Sequence, residues 1–495
     1  MEKYILAIDQ GTTSTRAIIF DKEGKLRSSA MRELENLFPH EGWVEIDPLK
    51  IWIGTVDVVN EVLIRADLTM NDIDSIGVTN QRETAIVWDK KTGKPVYNAV
   101  VWQSRQSEKI CDEFEKYKDL IHEKTGLLIN PYFSASKIRF ILDNIPNGQK
   151  RAEAGELLFG TVDTWLIYKM TLGQKHLTDV TNASRTMLFN IFTLEWDNEL
   201  LKLFNIPKKM LPEVLPSSAD YGLASYFSNS VHIYGVAGDQ HASLFGHNCF
   251  DEGESKNTYG TGCFMLMNTG EKPILSKNGL LTTIAWKVDD KVCYALEGSV
   301  FIGGASVQWL RDGLRIIKTS ADSEHEAKKV ESSDGVYVVP AFVGLGTPYW
   351  DDDVRGAVFG MTRATTKSHL IRATLEGIAY QSRDVFEVMK KESGIDIKSL
   401  QVDGGATANE ILMQFQSDIL QIEIKKPVCL ETTALGVAYL AGLYSGYWHN
   451  LDEVHSTHRY QATFKPKMSK KEAERRVEGW KLAVEAARVF KPRKD

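Results

Sequence analysis

The 495-residue chain is long enough for two or three domains, because one hydrophobic core rarely serves more than about 300 residues. Its 43% hydrophobic and 25% charged residues are typical of a globular protein. A formal net charge of −7 gives no whole-chain reason to expect binding to nucleic acid or to a membrane surface. The five cysteines are scattered without a C-x-x-C pair, which argues against a disulfide framework and a zinc site. We expect a cytoplasmic protein without a membrane span.

Residues 4–21 predict a β-hairpin with a polar turn. Apolar runs at 4–8 and 17–20 flank the turn, which is rich in glycine, threonine and serine. Backbone N–H groups and hydroxyls in such a turn can surround a phosphate, and Asp9 can orient a hydrated divalent ion. The alternative for this stretch alone is a plain polar hairpin turn.

The helix and strand pattern occurs twice along the chain. Residues 48–66 predict a helix with Asp47 as its N-cap, and strand-like runs follow. Near residue 250 the pattern restarts, since residues 257–269 again predict a strand, a Gly/Thr turn and a strand. We therefore expect a duplicated α/β unit, ending in a solvated amphipathic helix behind Ser469. The other predicted elements are strands at 75–79, 84–88, 99–102, 280–286, 292–296 and 400–402, and helices at 371–389, 408–420 and 433–443.

Three glycine-rich turns are candidates for phosphate binding. They are Gly11-Thr12-Thr13, Gly260-Thr261-Gly262 and Gly404-Gly405. The sequence has neither the Walker A pattern nor the Rossmann G-x-G-x-x-G pattern. If a nucleotide binds, paired hairpin turns from the two halves must therefore hold its phosphates.

Asp239 is a candidate general base. It follows the apolar run 231–236 within the sequence AGDQ, and a carboxylate just past a strand end is well placed to accept a proton. Phosphoryl transfer to an alcohol needs such a carboxylate together with cations for the phosphate charge, and Arg16 beside the first turn is a candidate cation. The alternative is a turn-forming aspartate bonded to its own backbone.

Arg82 and Glu83 form an unusually polar connection between two apolar strands. A glutamate accepts hydrogen bonds from hydroxyl groups and an arginine donates to them, so the pair can bind a small polyol. The alternative is a surface ion pair in a loop.

The motifs together resemble those of the glycerol kinases in the FGGY family of carbohydrate kinases. They run in order from about residue 4 to about residue 490 and include AIDQGTTSTRAIIFD, VTNQRETAIVWD, AVVWQSR, AGDQHASLFG, NTYGTGCFMLMNTG and VDGGATANEILMQFQ. The resemblance implies an α/β fold of two RNase-H-like domains of the actin/hexokinase ATPase type, with a cleft between them. It places these domains at residues 1–248 and 249–495. It also implies the reaction of Mg-ATP with glycerol to give sn-glycerol 3-phosphate and ADP, the first step of glycerol catabolism.

The resemblance also assigns roles to individual residues. It implies that Asp239 is the base, that Asp9 binds Mg²⁺ through water, and that the protein forms a homodimer or homotetramer. The residues implied to contact glycerol are Arg82, Glu83, Trp102, Tyr132, Asp239, Gln240 and Phe264. The residues implied to contact ATP are Thr12, Thr13, Ser14, Arg16, Thr261, Gly304, Gln308, Gly405 and Asn409.

The sequence departs from the family at three places. His241 stands where the family usually has glutamine, beside the candidate base. Ser225 occupies the place of a regulatory histidine that a phosphotransfer protein phosphorylates in some relatives, and the Gly/Lys-rich run that enterobacterial members use to bind fructose 1,6-bisphosphate is missing. Two alternatives stay open: a sister kinase for a sugar such as xylulose or gluconate, and a nucleotide-dependent assembly protein with the same fold.

Overall fold

The computed structural model describes residues 2–351 and 353–490. Alternating and continuous apolar runs give two large mixed β-sheets, which amphipathic helices cover, and five small two-stranded sheets among the described residues. In chain order the strands are β1 (Tyr4–Gln10), β2 (Ser14–Phe20), β3 (Leu26–Glu33), β4 (Glu45–Ile46), β5 (Ile73–Asn80), β6 (Ile86–Asp89), β7 (Ala99–Val100), β8 (Leu157–Gly160), β9 (Leu177–Asp179), β10 (Phe189–Asn190), β11 (Glu195–Trp196), β12 (Glu213–Leu215), β13 (His232–Gly238), β14 (Ser255–Tyr259), β15 (Cys263–Gly270), β16 (Leu281–Val288), β17 (Lys291–Val300), β18 (Tyr337–Val339), β19 (Ala357–Phe359), β20 (Ser399–Asp403), β21 (Glu423–Pro427) and β22 (Tyr460–Phe464).

The helices follow the same chain order. They are α1 (Pro48–Ala66), α2 (Glu108–Phe114), α3 (Lys118–Thr125), α4 (Ser134–Asn144), α5 (Gly148–Ala154), α6 (Val162–Met170), α7 (Val180–Ala183), α8 (Asn198–Leu203), α9 (Asp239–Gly246), α10 (Gly304–Gln308), α11 (Asp322–Ala327), α12 (Lys367–Ser393), α13 (Glu410–Leu420), α14 (Thr432–Ser445), α15 (Leu451–Thr457) and α16 (Lys470–Val489). A π-helical turn, Trp309–Gly313, continues α10. Within residues 2–351 and 353–490, no helix is both long and apolar enough to cross a bilayer.

The two large sheets have the same core topology. The first has the order β3-β2-β1-β5-β13, and its first three strands are antiparallel while β5 and β13 are parallel to β1. The second contains β17-β15-β14-β20-β21 with the same directions, and β16 and β22 extend its two edges. This repetition confirms the predicted duplicated α/β unit. We call the two sheets, with the helices and loops between their own strands, the first lobe and the second lobe.

Local sequence signals explain several elements well. The Asp47 side chain accepts a hydrogen bond from the backbone N–H of Leu49, so α1 begins where the N-cap pattern predicts. The opening hairpin is also confirmed, although β1 extends to Gln10 and β2 begins at Ser14. The segment between the two strands is therefore only three residues long, and the last pair of the antiparallel ladder is Gln10–Thr15.

One helix of the second half packs on the sheet of the first half. Helix α14 lies against β1, β5 and β13 and runs beside α9. The approach is so close that a Cβ atom on Gly436 would lie 1.8 Å from the Ala242 carbonyl oxygen. A Cβ atom on Gly246 would lie 2.0 Å from the Thr432 carbonyl oxygen. The glycines at these two positions thus allow the two helix backbones to touch.

The terminal helix α16 is more than a solvated appendage, so that expectation is wrong for one of its faces. Trp480 is fully buried, and its ring stacks on Tyr380 at 5.1 Å between centroids. Its indole N–H donates to the Asp384 carboxylate at 2.8 Å. Because the tryptophan lies between charged residues along the chain, its buried partner on α12 is not visible from local sequence.

Candidate active site

Parallel strand ends bring the predicted reactive residues to one edge of the first sheet. Asp9 lies opposite Thr79 in the pairing of β1 with β5, and Gly238 lies opposite Asn80 in the pairing of β13 with β5. The segment after Asn80 and the N-terminus of α9 therefore begin at the same edge as Asp9. Ligands of open α/β sheets bind at such carboxyl ends of strands.

Five ionisable side chains at this edge form what we call the charged cluster. Its members are Arg82, Glu83, Arg185, Asp239 and Glu297. Arg82 Nε lies 3.2 Å from an Asp239 carboxylate oxygen, while its two terminal nitrogens donate to Glu297 at 2.7 and 2.8 Å. Arg185 Nε donates to Glu83 at 2.6 Å. The predicted Arg82–Glu83 pair is thus buried rather than on the surface, with Arg82 Nε 3.9 Å from a Glu83 carboxylate oxygen.

Exposure distinguishes Asp239 from the other members of the charged cluster. Its side chain is 30% exposed, whereas those of the other four are 2% exposed or less. Burial of the carboxylate raises the pKa of Asp239 above its ordinary value of 3.8, and the charge of Arg82 opposes that shift. Asp239 is therefore the carboxylate of the cluster that is most open to a ligand.

The Glu83 backbone lies in the left-handed region, with φ of +61°. Such a conformation is uncommon for a residue other than glycine and persists only where surrounding contacts enforce it. Here Ser134 Oγ donates to the Glu83 carbonyl at 3.0 Å, and Arg185 holds the carboxylate. Hydrogen bonds thus hold both the backbone carbonyl and the side chain of Glu83.

Three aromatic side chains lie together beside the charged cluster. The ring centroid of Trp102 is 5.5 Å from that of Tyr132 and 6.4 Å from that of Phe264, in edge-to-face arrangements. The Trp102 indole N–H also donates to the Thr12 hydroxyl at 2.9 Å. This bond connects the aromatic residues predicted to contact glycerol with the first Gly/Thr turn. The sequence predicted these residues for two different ligands, and the structure places them in contact.

Gln240 is engaged by a lysine that the sequence analysis missed. Lys256 Nζ donates to the Gln240 side-chain oxygen and also to the Thr258 hydroxyl, the latter at 2.9 Å. Burial lowers the pKa of Lys256 to about 8, although the carboxylates of Asp403 and Asp239 oppose the shift. A buried cation therefore lies next to the predicted base, on the first strand of the second sheet.

His241 faces the second lobe rather than the base. Its side chain is fully buried, and Nε2 lies 3.0 Å from the Thr283 hydroxyl on β16. Burial lowers its pKa well below the ordinary value, and the nearby Arg82 charge adds to that effect. The imidazole is thus neutral and does not add a positive charge beside Asp239.

Asp9 occupies a carboxylate-rich position suited to a hydrated cation. Burial raises its pKa to about 7, and the charges of Asp239 and Glu431 add to that shift while Arg16 opposes it. Arg16 itself pairs with Glu431 at 3.0 Å. Among the residues that the structure describes, no group of three or more His, Cys, Asp or Glu side chains forms a metal cage. A single carboxylate such as Asp9 can hold a hydrated divalent ion through water.

A cavity of about 380 Å³ lies in the second lobe beside the second Gly/Thr turn. Val307, Leu375 and Leu412 supply apolar walls, which suits a flat heterocycle. The cavity brings together all five second-lobe residues that the resemblance implies for ATP: Thr261, Gly304, Gln308, Gly405 and Asn409.

Two of these residues also have structural roles. The Asn409 side-chain oxygen Oδ1 caps α13 by accepting from the Leu412 N–H at 3.0 Å, and its Nδ2 donates to the Ser323 hydroxyl at 3.2 Å. The Gly304 N–H donates to the Gly260 carbonyl at 2.8 Å, which holds α10 against the turn. The cavity wall is thus fixed before any ligand binds.

We expect Gly405→Val to block this cavity without disturbing the fold. A Cβ atom on Gly405 meets no heavy atom within 4 Å, so the new side chain fits the protein but occupies ligand space. The KM for ATP should rise by about tenfold or more, since about 1.4 kcal/mol of lost contact gives that factor. Thermal denaturation checks the fold.

The neighbouring glycine supplies a contrast for this experiment. A Cβ atom on Gly404 would lie 2.5 Å from the Tyr259 carbonyl oxygen, at a φ of +88°. Gly404→Val should therefore lower the melting temperature. An unchanged KM for ATP in a well-folded Gly405→Val protein would show that the nucleotide lies elsewhere.

Both halves of the chain match the domains of one known protein family. Residues 4–246 match the N-terminal domain of the FGGY family of carbohydrate kinases, and residues 255–444 match its C-terminal domain. The chain belongs to the FGGY family. The predicted two-domain α/β fold of the actin/hexokinase ATPase type is thereby confirmed, as is the prediction of a kinase.

Individual FGGY relatives are similar over their full lengths. The chain is 58% identical to a glycerol kinase of Oceanobacillus iheyensis, over 99% of each chain, and 58% identical to a glycerol kinase of a Geobacillus species, over 99% of this chain and 100% of the relative. The structure of Plasmodium falciparum glycerol kinase with ADP superposes with a TM-score of 0.92 at 40% identity, covering 98% of each chain. A gluconate kinase from Lactobacillus acidophilus has the same fold, with a TM-score of 0.87 at 23% identity over 98% of each chain.

Sequence reasoning missed three charged residues of this FGGY site, namely Arg185, Lys256 and Glu297. Each has a buried side chain. Glu297 and Lys256 lie within the strands β17 and β14. For Glu297, a lone carboxylate after the apolar run of β17 was the available signal, because burial without a partner is costly. Strand β14 is mostly polar, so no such signal marks Lys256. The sequence does not reveal the partners, which are distant along the chain.

Proposed function

We propose that this chain transfers the γ-phosphoryl group of ATP to a terminal hydroxyl of glycerol, giving sn-glycerol 3-phosphate and ADP, with Asp239 as general base. The observation that carries the proposal is the contact of 3.2 Å between Arg82 Nε and the Asp239 carboxylate, at the one exposed point of the charged cluster. The full-length similarity to proteins named glycerol kinase supports the choice of acceptor.

The acceptor side suits a small polyol. Arg82 and Tyr132 donate to hydroxyl groups, while Glu83, Asp239 and Gln240 accept from them. Trp102 and Phe264 present apolar faces to the carbon chain. In this arrangement these seven residues form the glycerol site, and the two rings limit its size.

The proposed base removes the proton of the glycerol hydroxyl that is phosphorylated. The Asp239 carboxylate takes the proton of the attacking hydroxyl, the oxygen forms a bond to the γ-phosphorus, and the bond from that phosphorus to the β–γ bridging oxygen breaks. The pKa of Asp239 is raised by burial, which makes it a stronger base than an exposed aspartate. The positive charge of Arg82 opposes that rise in pKa and favours the ionised form.

The nucleotide side uses both lobes. Gly304, Gln308, Gly405 and Asn409 line the cavity for the nucleoside, and Thr261 holds the phosphates from the second lobe. Thr12, Thr13, Ser14 and Arg16 hold them from the first lobe. Mg²⁺ supplies charge neutralisation at the phosphates when bound, and Asp9 would hold it through water. Closure of the lobes excludes water that would otherwise accept the phosphoryl group.

The same proposal includes the domain boundaries, the cellular location and the oligomeric state. We divide the chain at residues 1–248 and 249–495, and the two repeated sheets support this division, with α14 crossing it. We place the protein in the cytoplasm, since all five cysteines are free. A homodimer or homotetramer rests on the family resemblance alone.

One assay tests the function directly. ADP release is measured with glycerol, xylulose, gluconate or no acceptor, at saturating Mg-ATP. We expect turnover with glycerol to exceed the other three conditions by at least about 100-fold, since a site that hydrogen-bonds specific hydroxyls discriminates strongly. Equal ADP release without any acceptor would contradict the proposal, and preference for xylulose or gluconate would reassign the acceptor.

We expect Arg82→Ala to weaken glycerol use far more than ATP use. The substitution removes the donor beside Asp239, and hydrogen bonds to charged groups contribute about 1.5–3 kcal/mol each. The KM for glycerol should rise by roughly 10- to 100-fold, while the KM for ATP stays within about threefold. Steady-state kinetics with each substrate varied measures both values. An equal rise in the two would mean that Arg82 is not on the acceptor side.

A further inference from the structure

Glu297 connects the second lobe to the acceptor side of the cleft. It lies on β17 and is paired in register with Leu266 of β15 and Leu281 of β16, so strands on both sides fix its backbone. Its side chain leaves the second sheet and reaches Arg82 and Arg185. Both arginines belong to the first lobe. The acceptor arginine is therefore held by the opposite half of the molecule.

The hydrogen bonds of Glu297 fix the plane of the Arg82 guanidinium. The two carboxylate oxygens accept from the two terminal nitrogens of Arg82 at 2.7 and 2.8 Å. Such a two-point contact sets both the direction and the rotation of the group. The remaining side of the guanidinium, with Nε, then faces Asp239 at 3.2 Å.

Glu297 also holds the second arginine of the cluster. The terminal nitrogens of Arg185 lie 3.1 and 3.2 Å from the Glu297 carboxylate, while Arg185 Nε holds Glu83. The Arg185 guanidinium further lies over the rings of Tyr132 and Phe133, at 5.9 and 5.3 Å from their centroids. The Glu297 carboxylate thus contacts both arginines of the cluster. Arg82 in turn contacts Asp239, and Arg185 contacts Glu83 and Tyr132.

The two arginines keep the Glu297 carboxylate charged in its buried position. Burial opposes its ionisation, but Arg185 and Arg82 outweigh that effect and hold the pKa of Glu297 below its ordinary value. Without this carboxylate, the terminal nitrogens of Arg82 would lose the partner that accepts from both of them. Arg82 would then turn toward Asp239 and pair with the base more closely.

We propose that Glu297 is a positioning residue for the acceptor, which acts through Arg82 and Arg185 and makes acceptor affinity depend on contact between the lobes. This role rests on the proposed function, because Arg82 is assigned there to the acceptor. Glu297 itself does not touch the reacting atoms.

The test compares Glu297→Gln with a matched control, Glu376→Gln. Glu376 is a similarly buried glutamate on α12, paired with Arg372 at 3.1 Å and with Arg476 at 3.7 Å. We expect Glu297→Gln to raise the KM for glycerol by roughly 10- to 100-fold and the KM for ATP by less than about threefold. Glu376→Gln should lower the melting temperature and leave both KM values unchanged.

A second variant guards against loss of folding. Glu297→Asp keeps the charge but shortens the side chain by one methylene, so it should fold and raise the KM for glycerol by roughly three- to tenfold. An equal change in both KM values, no change in a folded variant, or the same glycerol effect in Glu376→Gln would overturn the positioning role. Wild-type protein is assayed first, since absence of glycerol turnover there contradicts the proposed function instead.

Discussion

We expect Asp239→Asn to lower kcat for glycerol phosphorylation by roughly 10²- to 10⁴-fold, the usual contribution of a positioned general base. Asparagine has nearly the same shape but cannot take the hydroxyl proton. Arg82 keeps its two bonds to Glu297, so the cluster should stay assembled. ADP release with glycerol measures the loss, and titration with ATP shows that the nucleotide still binds.

The pH dependence adds a second signature of the base. Burial raises the pKa of Asp239 above its ordinary value of 3.8, so protonation removes the base at a pH higher than an exposed aspartate would require. For the wild type, kcat/KM should therefore fall as pH decreases through that raised pKa. Asp239→Asn should lack this limb.

Asp384→Asn serves as a control for Asp239→Asn. Asp384 is a buried aspartate that accepts from Tyr349 and Trp480, both at 2.8 Å. Its replacement should lower stability and leave kcat within about threefold of the wild type, as for other residues that act only on folding. An unimpaired Asp239→Asn enzyme would rule out Asp239 as the base.

The second large effect concerns stability. We expect Gly436→Ala to lower the free energy of unfolding by about 3 kcal/mol or more, the upper range for overpacking. Intrinsic helix propensity alone would give the opposite sign, a gain of about 1 kcal/mol. The new Cβ atom would lie 1.8 Å from the Ala242 carbonyl oxygen, so α14 must move away from α9. Denaturant unfolding measures the change.

Gly54→Ala is the matched control. Gly54 lies inside α1, and a Cβ atom there would have Thr15 Oγ1 as its nearest neighbour, at 3.7 Å. That distance is ordinary van der Waals contact, so the propensity gain should appear and stability should stay the same or rise by up to about 1 kcal/mol. Equal effects at the two glycines would mean that the helix contact is not tight.

Local signals in the sequence predicted much of the fold. The Asp47 cap, the two Gly/Thr hairpins and the apolar strands each depend on neighbours a few residues away, and all appear in the structure. The buried face of α16 was not predicted, because Trp480 finds its partners on α12 about one hundred residues earlier. Distant packing partners leave no spacing pattern in one sequence.

The candidate site was predicted to a similar extent. Motif resemblance named the five second-lobe residues that line the cavity, and it paired Arg82 with Asp239 on one side. It did not reveal Glu297 or Arg185, which compensate the buried charges from other elements. Motifs identify the groups that meet a ligand, whereas the groups that hold them depend on long-range packing.

The crossing of α14 has a consequence for how the polypeptide is made. Ile5, Ala7, Ile18 and Phe20 of the first sheet share one apolar core with residues of α14. During synthesis this sheet face stays uncovered until residue 445 has left the ribosome, long after the other first-lobe strands are complete. The amino-terminal half therefore cannot finish folding on its own, and truncation before α14 would leave an aggregation-prone sheet.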